Sequence, residues 1–165
     1  MPPRDIQEPL LPSILDRLID RQPNIRSEAT TARAQTYREL KEAVRRDLEW
    51  LLNTRRTPFG APASAPELAK SVYNFGLPDF TNAALNVADD RRRIARLMEI
   101  TIGHYEPRLI NIHVTVLEAA AGSRMLMFHI EAALRMSPAP QRVYFDAKLE
   151  LTNRQYSIEG ETRAQ

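Results

Sequence analysis

The feature that most constrains the fold is a change in the spacing of apolar residues at Glu106-Pro107-Arg108, here called the joint. Before the joint, apolar side chains recur every three or four residues, as in a helix; after it they alternate with polar ones, as in a strand. Proline disfavours the helical conformation in the residue before it, so we expect Glu106 to leave the helix and Arg108 to open the first strand. Two opposite charges therefore flank a stiff turn.

Three segments before the joint have the apolar spacing of amphipathic helices. The first, Leu10 to Ile19, is short and is followed by Gln22 to Gln35, a polar stretch with few apolar residues to bury. Such a stretch favours a flexible linker. We therefore divide the chain into residues 1–35, a short helix with a flexible linker, and residues 36–165, a single domain.

The second helix starts at a capping box, Thr36-Tyr37-Arg38-Glu39, in which the Thr hydroxyl and the Glu carboxylate each accept a hydrogen bond from a free backbone N–H. It should end near Asn53, because three prolines and a glycine follow within Arg55 to Pro66. The third helix should begin at Asp89 or Asp90 and run to the joint.

After the joint, apolar residues alternate with polar ones in four successive runs. This pattern predicts a four-stranded antiparallel meander with one face exposed to water and the helices packed on the other, an α+β fold. The apolar positions are Ile110, Ile112, Val114 and Val116; Leu126, Phe128, Ile130 and Leu134; Val143, Phe145, Ala147, Leu149 and Leu151; and Tyr156 and Ile158.

The register that places apolar residues opposite one another also places opposite charges across each hairpin. A two-residue turn at Asn153-Arg154 closes the last hairpin in this register. The predicted pairs are Ile112 with Ile130, Glu118 with Arg124, Leu134 with Phe145, Glu131 with Lys148, and Lys148 with Glu159.

Composition bounds the class of protein. The 165 residues are enough for one domain with a sizeable core. Cysteine is absent, which excludes disulfides, thiolate ligands and a cysteine nucleophile, and is expected in a reducing compartment. No stretch approaches the roughly 20 apolar residues that cross a bilayer, and the N-terminal residues lack the apolar run of a signal peptide. We expect a cytoplasmic protein with no direct membrane insertion.

Charge gives little support to nucleic acid binding. The chain has 23 basic and 21 acidic side chains, a net charge of +2. The tightest basic run, Arg91-Arg92-Arg93, directly follows Asp89-Asp90, which is typical of a solvated helix start. We predict no nucleic acid partner; a nucleic acid binder would lose affinity steeply with added salt.

The residues that could carry chemistry form no recognised motif. His113 and His129 lie opposite each other in the predicted register, with Glu150 nearby, but zinc normally needs three or four protein ligands. Glu99 and Glu106 could form a glycosidase pair, yet 21 acidic residues make some pair at the required separation almost inevitable. Phosphate-binding glycine loops and GxSxG turns are absent from the sequence. We predict no catalytic residue, no cofactor and no metal, and keep a peptidoglycan-acting glycoside hydrolase as the alternative function.

The remaining features suit contact with other proteins. Glu106 and Arg108 either tie the joint internally or dock a partner, and Trp50 is either a core residue or a contact residue. The two edges of the sheet could each accept a further strand.

Four segments, taken in order, resemble the TssE family, the baseplate subunit of type VI secretion systems related to the lysozyme-like wedge protein of contractile phage tails. The segments are LPSILDRL (residues 11–18), RDLEWLLNTR (46–55), SVYNFGLPD (71–79) and YEPRL (105–109). The resemblance implies that residues 36–165 are a lysozyme-like wedge domain, and that the protein is a cytoplasmic structural component without catalytic turnover.

The resemblance also implies partners and contact residues. The partners are the wedge subunits TssF, TssG and TssK and the contractile sheath proteins TssB and TssC, whose polymerisation starts from the baseplate. The joint is the element expected to contact wedge subunits, and the sheet edges are expected to exchange strands with the sheath. The predicted protein-binding residues are Glu106, Pro107, Arg108, Trp50, Tyr156 and Ile158.

Overall fold

In the part of the chain that the structure describes, two α-helices are followed by four β-strands, which confirms the predicted α+β class. The helices are α1 (Tyr37–Asn53) and α2 (Ala88–Tyr105), and the strands are β1 (Leu109–Leu117), β2 (Met125–Leu134), β3 (Gln141–Glu150) and β4 (Tyr156–Gly160). The computed structural model describes Ser13, Asp16, Leu18, Asn24 and residues 37–79, 87–117, 125–137 and 139–160. Most of the predicted first helix and linker, and the capping residue Thr36, lie outside the described residues.

Helix α1 covers the region predicted for the second helix and buries one apolar stripe. Its buried residues are Leu40, Ala43, Val44, Leu48, Leu51 and Leu52. Beyond the helix, the Leu77 N–H donates to the Thr54 carbonyl at 2.9 Å, which brings a later loop against the helix end. Gly76 has a φ of 105°, and a Cβ there would lie 2.2 Å from the Thr54 oxygen, so this close approach requires glycine.

Helix α2 begins and ends near the predicted residues. Asp89 and Asp90 lie in its first turn, where carboxylates suit the helix dipole. Glu106 caps its C-terminus with a φ of −119°, and the Glu106 N–H donates to the Ile102 carbonyl. The proline therefore ends the helix at the residue before it, as predicted. Strand β1 begins at Leu109, one residue later than predicted.

The sheet has the order β1-β2-β3-β4, with every neighbouring pair antiparallel, so the predicted meander is confirmed. Alternate residues of β2 and β3 are buried, and both helices pack on this face, α1 against β4 and α2 against β1. Phe128 and Phe145 are the largest fully buried side chains of the shared core. The opposite face carries the polar positions.

The predicted register between β1 and β2 is wrong. Ile130 lies opposite Val114 instead of Ile112. A bulge between Ile110 and His113, with Asn111 at a φ of 53°, inserts one extra residue into β1, which an alternation pattern does not reveal. The predicted pair of Glu118 with Arg124 lies outside the described residues.

The registers of the other two hairpins also differ from prediction. Each difference is an even number of residues, so every side chain still points to the predicted face. The turn before β4 is longer than the two residues predicted, because the Glu150 N–H donates to the Gln155 carbonyl. The predicted pairs of Leu134 with Phe145, Glu131 with Lys148 and Lys148 with Glu159 are wrong; the observed partners are Gln141, Tyr144 and Ser157.

Candidate docking site at the helix-to-sheet joint

The two charged residues of the joint bind each other. The Arg108 Nε donates to Glu106 Oε1 at 2.7 Å, Arg108 Nη2 donates to Glu106 Oε2, and the Arg108 backbone N–H donates to Glu106 Oε1 at 3.2 Å. Glu106 is only 4% exposed. A buried carboxylate is destabilising unless it is paired and hydrogen-bonded, and Arg108 supplies that pairing for Glu106.

The joint is connected to α1 by further ion pairs. Arg108 Nη2 also donates to Asp47 Oδ2 at 2.6 Å, and Arg46 donates to Asp47 Oδ1 through Nε at 3.0 Å and Nη2 at 2.8 Å. Arg46 Nη1 lies 2.9 Å from an oxygen of Asp16, near the N-terminus. We call these alternating charges the ion-pair network; its members are Glu106, Arg108, Asp47, Arg46 and Asp16.

The network determines the electrostatics of Arg108. Burial alone disfavours its charge, but the bonds to Glu106 and Asp47 outweigh burial and raise the pKa of Arg108. The guanidinium is therefore a permanent cation. Its third nitrogen, Nη1, is buried and has no acceptor within the described part of the chain. Such an unsatisfied donor is uncommon in folded proteins.

Two exposed groups lie beside the network. Pro107 is exposed between its two buried or half-buried neighbours. Trp50 is 55% exposed, so it is a surface residue and not a core residue. The guanidinium carbon of Arg46 lies 5.7 Å from the centre of the Trp50 ring, in the range of a cation–π contact. Trp50 is thus connected through Arg46 and Asp47 to the joint.

Tyr156 and Ile158 lie in a different environment. Both side chains are about 4% exposed and belong to the core, packed under α1. Burial raises the pKa of the Tyr156 hydroxyl. A partner could reach this strand only through its backbone edge.

The backbone edge of β4 is bonded to α1. The Asn53 side chain accepts from the Tyr156 N–H at 2.8 Å and donates to the Tyr156 carbonyl at 2.8 Å, as a neighbouring strand would. Arg45 Nη1 donates to the Ile158 carbonyl at 3.0 Å.

The residues considered for a metal site are not brought together as predicted. His113 lies opposite Glu131, and His129 lies between Thr115 and Asp146, so the predicted pairing of the two histidines is wrong. Glu150, predicted beside His129, lies opposite Met125. Within the described ranges no group of three or more His, Asp or Glu side chains could hold a metal ion.

Glu99, the other candidate carboxylate, accepts a hydrogen bond from the backbone edge of β1. Its Oε1 accepts from the Val114 N–H at 2.9 Å and lies 3.0 Å from His113 Nδ1, and its Oε2 accepts from Arg96 at 2.8 Å. Burial opposes its charge, but the Val114 and Arg96 hydrogen bonds and the nearby His113 outweigh burial and lower the pKa of Glu99. Both candidate carboxylates are therefore engaged in structural contacts.

Sequence reasoning missed the residues that position the joint and the edges. Asp47 and Arg46 lie in segment 46–55, which carries part of the resemblance, but no sequence spacing connects Asp47 with Arg108, 61 residues away. Asn53 was interpreted only as a helix end. Its position at the last residue of α1, a common place for an amide that binds backbone groups, is the one signal that pointed to it.

The fold and the joint define an α+β domain whose conspicuous charges are tied to one another and to a helix. The family model of the baseplate wedge protein gp25 matches residues 38–139. This match covers more than half of the chain, and the chain belongs to the baseplate wedge protein gp25 family. The resemblance inferred from the sequence is confirmed at this level.

A solved chain of a structure described as "The baseplate complex from the type VI secretion system" is also similar. The sequence identity is 17%, the TM-score is 0.47, and the match covers 67% of this chain and 94% of that chain. No protein of curated function matches the sequence at a significant level. In the described part of the chain, neither helix is long and apolar enough to cross a membrane.

Proposed function

We propose that this protein is the TssE-like subunit of a type VI secretion baseplate and that it acts by binding other proteins. The observation that carries the proposal is the family match over residues 38–139, a range that includes α1, α2, the joint, β1 and β2. The members of the ion-pair network other than Asp16 all lie inside this range.

The proposed wedge-binding surface consists of Trp50, Arg46 and Pro107. Exposed tryptophan and arginine are the residue types that contribute most to protein interfaces. The Glu106–Arg108 pair fixes the position of Pro107, so the surface is rigid before a partner arrives. The proposed partners are TssF, TssG and TssK.

The second proposed role is to support the start of sheath assembly by pairing a sheet edge with a strand of TssB or TssC. Strand addition uses the backbone for affinity and the flanking side chains for specificity. The protein would act in the cytoplasm, where wedge and sheath assemble.

The proposed role is structural and not catalytic. Glu106, one member of the candidate glycosidase pair, is bonded to Arg108 and nearly inaccessible. A general acid must reach the oxygen of the leaving group, and this geometry does not allow it.

Co-purification with the wedge subunits tests the proposal. We would co-express the affinity-tagged protein with TssF, TssG and TssK and compare wild type with Trp50→Ala. Truncation of a central aromatic contact should weaken binding by about tenfold or more. Phe59→Ala is the matched control, because Phe59 is an aromatic residue that is 74% exposed outside the proposed surface.

The expected result is that wild type and Phe59→Ala retain the wedge subunits and Trp50→Ala loses them while keeping the melting temperature of wild type. Retention by all three proteins would reject the proposed surface. Failure of wild type to bind any wedge subunit would reject the proposed function.

A further inference from the structure

The two edges of the sheet are not equivalent. On β4, Asn53 and Arg45 of α1 occupy the Tyr156 N–H, the Tyr156 carbonyl and the Ile158 carbonyl. An incoming strand would have to break three hydrogen bonds at this edge. Natural sheets commonly protect an edge by covering it in this way.

The edge of β1 is occupied at one group only within the described chain. The Val114 N–H donates to Glu99 and therefore points away from β2. Because backbone direction alternates along a strand, Val116 has its N–H and carbonyl on the same outer side. From His113 to Leu117 the pairing with β2 is regular, so this segment lies beyond the bulge and has the straight backbone that strand pairing needs.

A groove of about 500 Å³ continues this edge between β1 and α2. Its apolar residues include Ile100, which is 58% exposed, and Ile112, which packs near Gly103. An aliphatic side chain placed in this groove would bury apolar area. Exposed apolar surface of this kind is typical of contact sites.

The charges around the groove are unequal. Glu99 is matched by Arg96, whereas Arg135 is exposed and makes no ion pair with any described residue. The groove is therefore left with one positive charge. A carboxylate on the occupant would match Arg135.

We propose that the outer edge of β1 from Val114 to Leu117, continued by the groove against α2, accepts an extended strand that carries an apolar side chain and a carboxylate. Glu99 occupies the Val114 N–H until a carbonyl of the incoming strand replaces it. The inference rests on the proposed function, under which the strand belongs to a sheath subunit. It assigns the sheath contact to the edge of β1. The protein-binding residues predicted from the resemblance, Tyr156 and Ile158, lie instead on β4.

Site-specific photo-crosslinking in cells that assemble the complete machine tests this assignment. A photoreactive amino acid would replace Thr115 on β1 or Ser157 on β4, both exposed positions on the polar face beside an edge. The photoreactive amino acid placed at position 107, in place of Pro107, reports on contact with wedge subunits. The products would be identified by antibodies against TssB, TssC, TssF, TssG and TssK.

We expect position 115 to capture a sheath protein, position 157 to capture none, and position 107 to capture a wedge subunit. Capture of sheath from position 157, or from neither edge while position 107 captures a wedge subunit, would overturn the inference and leave the wedge role intact. If no position captures a wedge or sheath protein, both the inference and the proposed function fail.

A charge reversal at Arg135 tests the contribution of the groove to strand binding separately from that of the β1 edge. Arg135→Glu should reduce the sheath crosslink at position 115 at least about tenfold, because it places like charges together. Arg142→Glu changes an exposed arginine on β3 in the same way and should leave the yield unchanged. Equal crosslink yields from Arg135→Glu and Arg142→Glu would overturn the assignment of a carboxylate to the incoming strand.

Discussion

At the scale of single residues, burial favours an internal tie over direct docking for the charges of the joint. Glu106 is 4% exposed and bonded three times to Arg108, so the pair is an internal tie. The residues that remain available to a partner are its exposed neighbours. The proposed docking role therefore belongs to Pro107 and Trp50, and Arg108 acts by holding the joint in place.

Arg108→Ala should destabilise the fold. Removing the guanidinium leaves the buried Glu106 without its cation, whereas Asp47 keeps Arg46, and the free energy of unfolding should fall by about 2–3 kcal/mol. Chemical denaturation followed by circular dichroism measures the change.

Arg92→Ala provides the control for Arg108→Ala. Arg92 pairs with Asp89 in an i,i+3 ion pair whose two side chains are largely exposed, and such a pair should contribute less than about 0.5 kcal/mol. If Arg108→Ala were no more destabilising than Arg92→Ala, the ion-pair network would not stabilise the joint.

Trp50 shows why a sequence cannot always separate core from surface. Successive helical residues are rotated by about 100°, so Leu48, Leu51 and Leu52 face the sheet while Trp50 lies at the border of the stripe. The sequence placed Trp50 beside apolar neighbours but could not place Arg46 over its ring, because that contact depends on the rotamer of a long side chain.

At the scale of elements, the end of α1 is fastened to β4 by one side chain. Asn53→Ala would leave the Tyr156 N–H and carbonyl without their partners at a half-buried edge. The free energy of unfolding should fall by about 1–3 kcal/mol. Hydrogen exchange at the Tyr156 amide should become faster than in wild type.

Asn74→Ala is the comparison for Asn53→Ala, since the Asn74 amide makes an exposed local bond to the Ala69 carbonyl. Its effect should be small and should not reach the Tyr156 amide. Unchanged exchange at Tyr156 in Asn53→Ala would contradict the proposed protection of the β4 edge.

The strands show what periodicity can predict. Alternation identified all four strands and which residues face the core beyond the bulge in β1, because burial of one face specifies orientation strongly; before the bulge, Leu109 is buried instead of the predicted Ile110. It did not identify the register, since moving a strand by two residues preserves the alternation. Charge pairing did not resolve this ambiguity either: Lys148 still reaches Glu159 at 2.6 Å, although its direct partner is Ser157.

At the scale of the whole molecule, helices and sheet share one core that crosses the joint. Val44 of α1, Met98 of α2 and Phe128 of β2 are all fully buried in it. The fold class and the position of the joint were predictable because they depend on local patterns. The ion-pair network and the protected edge were not, because each connects residues far apart in sequence whose distance depends on the completed fold.

The central claim is that this protein is a baseplate component on which sheath assembly depends. The most direct test is to image a fluorescent sheath protein in cells that lack the chain. The account predicts no extended sheaths in the deletion strain, restoration by wild type and Phe59→Ala, and no restoration by Trp50→Ala at normal protein abundance. A normal number of extended sheaths in the deletion strain would contradict it.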